Sequence, residues 1–326
     1  MRIVVSIPVH EKPDVINDLI ENIKTYIEHP IIVLHISAGF YKNYNENEIH
    51  LDSDTYINPM HLQTTWGNIF RTHVSNFQFI KNLVDFDYFL MQASNDMFVK
   101  KGIEKYIEQF DAGVDCRILW QHDSKWWPCS CAHEDATLQK IMRYIGVTRI
   151  LGSQVEGSFY RKAIFEYVAN TIDSLITQED CRKFNLYGRE EIYYPTIASK
   201  IMDYGRCGYP TTFSEVHRFD RWIWEIRTIM EKFYKFGLKM FISQNLLNRM
   251  EGKVNQWLFD TRWYKLTKRD INAIICDDQK YLIKNESLND YPGYWEINDG
   301  HYYSVKRVPR NYDDPIRVYI RNLKIE

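Results

Sequence analysis

Two short runs rich in β-branched residues, with an amphipathic helix between them, open the chain and narrow its folds to a short list. Ile3-Val4-Val5-Ser6-Ile7 ends at Pro8, and Ile31-Ile32-Val33-Leu34-His35-Ile36 follows 23 positions after Pro8. Neither run alternates polar with apolar residues, so each predicts a strand covered on both faces, as in a parallel sheet. Between them Pro13 stands where a helix tolerates its missing N–H. Val15, Ile16, Leu19, Ile20 and Ile23 then recur at helical spacing, with Asp14, Asn17, Asp18 and Glu21 opposite. A strand–helix–strand unit of this kind places its helix against the sheet face. The class predicted is α/β, a Rossmann-type mixed sheet flanked by helices.

The stretch Asp87 to Lys101 predicts the next central strand and its exit. Tyr88-Phe89-Leu90-Met91 is long enough for one buried strand, and Ala93-Ser94-Asn95-Asp96 breaks it. Ligands of open α/β sheets lie beyond the carboxyl ends of the strands. Asn95 and Asp96 are at that end. Two D-x-D triplets, Asp52-Ser53-Asp54 and Asp85-Phe86-Asp87, could hold a divalent metal, but Asp85 and Asp87 precede the strand, the wrong end for a ligand. Asp96 alone is a poor magnesium site unless phosphate oxygens and waters complete the shell.

The rest of the chain adds helices and one basic cluster. Thr65-Trp66-Gly67-Asn68 precedes a helix carrying Phe70, Val74, Phe77 and Ile80. The segment 117–120 predicts a strand, and 135–145 a helix. A polar turn over 152–160 feeds a helix over 161–175. Gly188-Arg189-Glu190-Glu191 opens a helix reaching about Met202, and 219–250 has a helical pattern. The expectation is a single domain over 1–326: a donor half (1–120), a catalytic half (121–215) and a helical C-terminal region with a basic tail (216–326).

Composition excludes several classes. The formal net charge of −2 argues against a nucleic-acid binder. An aromatic share of 15% suits a packed core, or the stacking of aromatic rings on sugar faces. Six cysteines without framework spacing fit a reducing compartment. Cys129, Cys131 and His133 lack the spacing and the fourth ligand of a structural zinc site. No signal peptide and no apolar run of ~20 residues is visible. The expected location is cytoplasmic, with peripheral attachment at the inner membrane face left open.

Two groups of residues suit group transfer. A carboxylate that opens a helix after a Gly-containing loop is fixed in direction yet reachable, which makes Glu191 a candidate general base. The bland alternative for Glu190 and Glu191 is a charged helix start. Lys306, Arg307 and Arg310 could neutralise an anionic leaving group without metal. Their alternative is a solvated basic tail.

Four stretches together resemble the core-2/I-branching β-1,6-N-acetylglucosaminyltransferase and peptide O-xylosyltransferase family, above all its short bacterial members. They are Asp87–Leu90 with Asn95–Lys100, Gly152-Ser153-Gln154 with Ser158–Ala163, Arg189–Ile197, and Val305–Arg310. Val155, Glu156, Asn95 and Arg189 depart from the family pattern. The resemblance implies a GT-A-like fold and inverting, metal-independent transfer from a UDP-sugar, N-acetylglucosamine or xylose, to a glycan hydroxyl. It implies Glu191 as catalytic base, with no metal site and no cofactor. It puts His10, Glu11, Asn95, Asp96, Lys306, Arg307 and Arg310 at the donor. Trp66, Gln154, Glu156 and Glu190 fall on the acceptor side. The competing readings are a metal-dependent GT-A transferase using Asp96 or a D-x-D triplet, and a non-catalytic carbohydrate-binding protein.

Overall fold

The computed structural model describes residues 1–62, 64, 67–120, 127–177, 187–214, 266–282 and 301–323, with isolated positions 237, 243, 246 and 249. Trp66 and most of the 219–250 segment lie outside the described residues.

The opening unit is β1 (Ile3–Val9), α1 (Pro13–Tyr26) and β2 (Ile31–Ile36). It continues through β3 (Thr55–Ile57), α2 (Phe70–Ile80) and β4 (Tyr88–Met91). Strands β1 to β4 are parallel neighbours in the order β4-β1-β2-β3. Successive strand residues face opposite sides, and here both sides are dry. Val4, Val33 and Phe89 join a cluster with Phe70, Phe77 and Phe165. Val5, Leu34 and Leu90 join another with Ile16, Leu19 and Ile20 of α1. The absence of polar alternation in the sequence is therefore a two-sided burial pattern. One polar residue interrupts β1. Ser6 is fully buried, and its hydroxyl lies 2.9 Å from His73 Nδ1 and accepts from Asn76 Nδ2 at 3.0 Å. Burial drives the His73 pKa down to about 3, so the imidazole is neutral.

Short elements follow: β5 (Met97–Phe98), α3 (Ile103–Ile107), β6 (Ala112–Gly113) and β7 (Arg117–Ile118). Next come α4 (Trp127–Glu134), α5 (Ala136–Ile145), β8 (Leu151–Gly152), β9 (Phe159–Arg161), α6 (Lys162–Leu175) and α7 (Glu190–Ala198). The described chain ends with β10 (Cys207–Gly208), β11 (Thr212–Phe213), α8 (Lys268–Ile275), α9 (Gln279–Leu282), β12 (Ser304–Val305) and α10 (Pro315–Arg321). Antiparallel β9 extends the main sheet beyond β4, giving seven strands in the order β10-β6-β9-β4-β1-β2-β3. This is a mixed α/β sheet flanked by helices, the class expected. The polar turn over 152–160 is bracketed by two strands, β8 and β9, and the helix expected to reach Met202 ends at Ala198.

A second sheet was not expected. In it β12 runs parallel to β11 and antiparallel to β5. It seats the residues after β12 beside the exit of β4. The tail is fixed again further on. Arg317 Nη1 donates to Asp18 Oδ2 of α1 at 2.6 Å, and Arg317 Nε donates to the Pro309 carbonyl at 3.0 Å. Arg317 is an interior anchor with a fully buried side chain. No helix among the described residues is long and apolar enough to cross a membrane.

Candidate active site

The chain leaves β4 through Gln92, a buried amide that stitches three strands together. Its Nε2 donates to Ser304 Oγ of β12 at 3.2 Å, and its Oε1 accepts from Thr212 Oγ1 of β11 at 3.2 Å. The two hydroxyls meet at 2.7 Å. Buried polar groups need such partners, and here they lock the C-terminal strand to the β4 exit. The Val308 N–H then donates to the Asn95 carbonyl at 2.9 Å. Between these contacts lie Asp96, Lys306 and Arg307.

Asp96 is buried, with 1% of its surface exposed. Its Oδ2 accepts from the Ala93 N–H at 2.9 Å, while its Oδ1 is buried without a hydrogen-bond partner. Burial pushes the Asp96 pKa up to about 8, and the nearby Glu156 charge adds to the shift. Arg307 beside it has φ of 66°, a region L-residues rarely adopt. Backbone strain of this kind costs about 1–3 kcal/mol and persists only where surroundings impose it.

Glu156 reaches the same place from the loop between β8 and β9. Lys306 Nζ lies 2.7 Å from Glu156 Oε1. Burial raises the Glu156 pKa, but the charge and hydrogen bond of Lys306 outweigh it, and the carboxyl ends below its ordinary value. Burial alone would lower the Lys306 pKa; Glu156, Asp96 and Glu191 together hold it above its ordinary value. The loop is set by its own side chains. Gln154, read as an acceptor contact, is buried, and its Nε2 donates to the Glu156 carbonyl at 2.7 Å and the Thr212 carbonyl at 2.9 Å. It positions Glu156 from inside the loop. Asp115 holds the loop's other side, its Oδ2 accepting from the Gln154 N–H at 2.9 Å and the Ser153 hydroxyl at 3.3 Å.

Glu190 and Glu191 begin α7, whose start is fixed by burial on three sides. Asp135 caps α5 and accepts from the hydroxyls of Tyr187 and Tyr193, each at 2.6 Å. Arg189 is buried, its guanidinium 5.9 Å from the Phe70 ring centroid. Pro195 lies inside the helix and has no N–H for the Glu191 carbonyl four residues back. The Ser153 N–H takes that acceptor at 2.8 Å, so the proline's defect ties α7 to the Glu156 loop. Glu190 is 8% exposed and its Oε2 is buried without a hydrogen-bond partner. Burial pushes the Glu190 pKa up to about 7, against the pull of its own backbone N–H.

His10 and Glu11 follow β1. The Glu11 carboxylate is 2.8 Å from Arg310 Nε and 3.3 Å from His10 Nε2. The donor-side and tail residues named from the sequence are thus joined by Glu11–Arg310 and Asn95–Val308. Asp96, Glu156, Glu190, Glu191 and Lys306 share one electrostatic environment. Gln92, Thr212 and Ser304 escaped sequence reasoning, because a lone polar residue at a strand exit or in a two-residue strand carries no pattern.

The D-x-D triplets are elsewhere. Asp52 pairs with Lys24 at 2.6 Å, and Asp87 accepts from the Arg2 N–H at 2.7 Å, both at strand entries. His133 Nε2 lies 2.9 Å from the Leu119 carbonyl oxygen. Among the described residues no group of three or more His, Cys, Asp or Glu is arranged to hold a metal ion.

No family model matches this chain, and a comparison with curated proteins found no match. Among solved structures, the galactosyltransferase LgtC in complex with donor and acceptor sugar analogues aligns with 68% of this chain and 78% of its own, at 8% identity and a TM-score of 0.35. An active-site mutant of LgtC aligns with 67% of this chain and 77% of its own, at 10% identity and a TM-score of 0.37.

Proposed function

We propose that the chain is a GT-A-like, inverting glycosyltransferase that moves a sugar from a UDP-sugar to a glycan hydroxyl. The observation that carries this reading is the Lys306–Glu156 ion pair beside buried Asp96 beyond the exit of β4, with Glu190 and Glu191 near enough to act on it electrostatically. Such a site can bind a polyol, take a proton and face an anionic leaving group. The acceptor oxygen attacks the anomeric carbon as the bond to the diphosphate breaks on the opposite face. The acceptor proton passes to a carboxylate at the start of α7. Arg307 and Arg310 face the departing diphosphate together with Lys306, whose charge Glu156 already balances in part. Protonated Asp96 donates from Oδ1 to a sugar hydroxyl. The transferred sugar is N-acetylglucosamine or xylose, as the family resemblance implies, and transfer needs no metal.

Glu191 is the first choice for the base. Glu190 is the second, favoured by its buried, partnerless Oε2 and a pKa near working pH. Glu191→Gln should lower transfer at least ~100-fold, the scale of general-base catalysis, with UDP-sugar binding retained. Near-normal turnover in that variant and a matching loss in Glu190→Gln would move the role to Glu190. Thermal shift with UDP tests the transferase reading itself: a sugar-binding protein without transfer activity ignores the nucleotide. Activity in EDTA tests metal independence, and a strict Mn²⁺ or Mg²⁺ requirement would remove it.

A further inference from the structure

Away from the proposed chemistry, Cys116 and Cys207 lie with their sulfurs 3.2 Å apart and are both free thiols. Cys207 opens β10, and Cys116 lies beyond β6, the strand with which β10 pairs. The contact is part-buried rather than sealed in the core. Cys116 has φ of 50°, a strained conformation for a residue with a side chain. The two thiols are not equivalent. The hydrogen bond from Cys116 lowers the Cys207 pKa, and the same contact with burial raises that of Cys116. A thiol of lowered pKa in contact with one of raised pKa suits thiol–disulfide exchange, in which the more acidic thiol attacks first.

We infer that Cys116 and Cys207 are a modification site, closing to a reversible disulfide under a low-molecular-weight disulfide oxidant such as glutathione disulfide. The Cys207 thiolate attacks one sulfur of the oxidant, forming a mixed disulfide and releasing one glutathione thiolate, which takes up a proton. Cys116 then loses its proton, attacks Cys207 Sγ and releases the second glutathione. Two protein thiols are oxidised and one oxidant disulfide is reduced to two thiols. The sulfurs must approach by about 1 Å to reach bonding distance. Asp115, the neighbour of Cys116, accepts from Ser153 and Gln154, so the link forms one residue from an anchor of the loop that carries Glu156.

The test uses the full chain treated with glutathione disulfide, blocked with an alkylating agent and digested without reduction. The expected product is a Cys116–Cys207 linked peptide, with loss of two alkylatable thiols and recovery of both on reduction. Cys116→Ser should stop at a glutathione adduct on Cys207. Because the link closes a long loop, the oxidised protein should melt a few degrees higher than the reduced one. Cys116 and Cys207 both remaining alkylatable in excess oxidant would overturn the inference. So would persistent adducts without the link, links only to Cys181 or another cysteine, or an oxidised form that melts lower. None of these readouts depends on transferase activity.

Discussion

A carboxyl group cut off from water, with an oxygen that nothing bonds, keeps its proton well above the usual carboxylate range. Asp96 and Glu190 are both in this position, with pKa values raised to about 8 and about 7. The consequence for stability has a definite sign. An unfolded chain releases these protons near pH 4, whereas the folded chain keeps them until about pH 7 to 8. Between those limits the folded state binds more protons, so stability falls as pH rises. The contribution is complete below about pH 4 and gone above about pH 8. Asp96→Asn keeps a neutral side chain at every pH and should flatten the decline of Tm between pH 5 and pH 8. If the slope in the variant matches that of the parent, Asp96 is ionised throughout. Only part of this was legible in the sequence. The position of Asp96 at a strand exit was readable, because a long apolar run marks the strand. Its protonation was not, since burial of the site depends on Lys306 and Glu156, which are distant in the chain. Trp66, also named from the sequence, lies outside the described residues.

The elements divide by length. β1, β2 and β4 announce themselves because short, mostly apolar runs of four to seven residues without polar alternation suit strands covered on both faces. β5, β11 and β12 have two residues each. Two residues have no period, so the sheet they form was invisible, although it seats the basic segment. Gly157 is where that sheet meets the Glu156 loop. Its φ is 82°, and a Cβ there would stand 2.3 Å from the Thr212 backbone nitrogen and 2.7 Å from that of Thr211. The close approach lets the Thr211 N–H reach the Gly157 carbonyl at 2.9 Å and the Gly157 N–H reach Met91 at 2.8 Å. Gly157→Ala meets both a disfavoured backbone region and rigid backbone atoms. A loss of about 2–4 kcal/mol in denaturant unfolding is expected. A loss below about 0.5 kcal/mol, the level of an ordinary surface change, would mean that β11 can move away from the loop at no cost.

At the scale of the molecule, the site exists only while the C-terminal segment stays folded onto the N-terminal half. Residues far apart in sequence meet there, and loop closure must be offset by contacts made at the end. Arg317 and Asp18 form the most buried ion pair among the described residues, with side-chain exposures of 0% and 4%. Arg321 adds a longer ion pair to Asp18 at 3.7 Å. A buried pair is weak evidence for net stability, since desolvating both charges costs about as much as their attraction returns. Removing one partner is different, because the other stays buried and uncompensated, at a cost of about 3–5 kcal/mol. Arg317→Met should therefore destabilise the protein by that amount, softened to the extent that Arg321 closes on Asp18. It should also abolish the UDP-dependent thermal shift, because Lys306, Arg307 and Arg310 lose their seat. Asp18→Leu combined with Arg317→Met removes both charges and should recover most of the lost Tm and part of the nucleotide response. A double variant no more stable than the single one would show that the anchor works through the Arg317 bond to the Pro309 carbonyl rather than through Asp18. An Arg317→Met protein with unchanged Tm and full nucleotide response would show that the second sheet alone holds the tail.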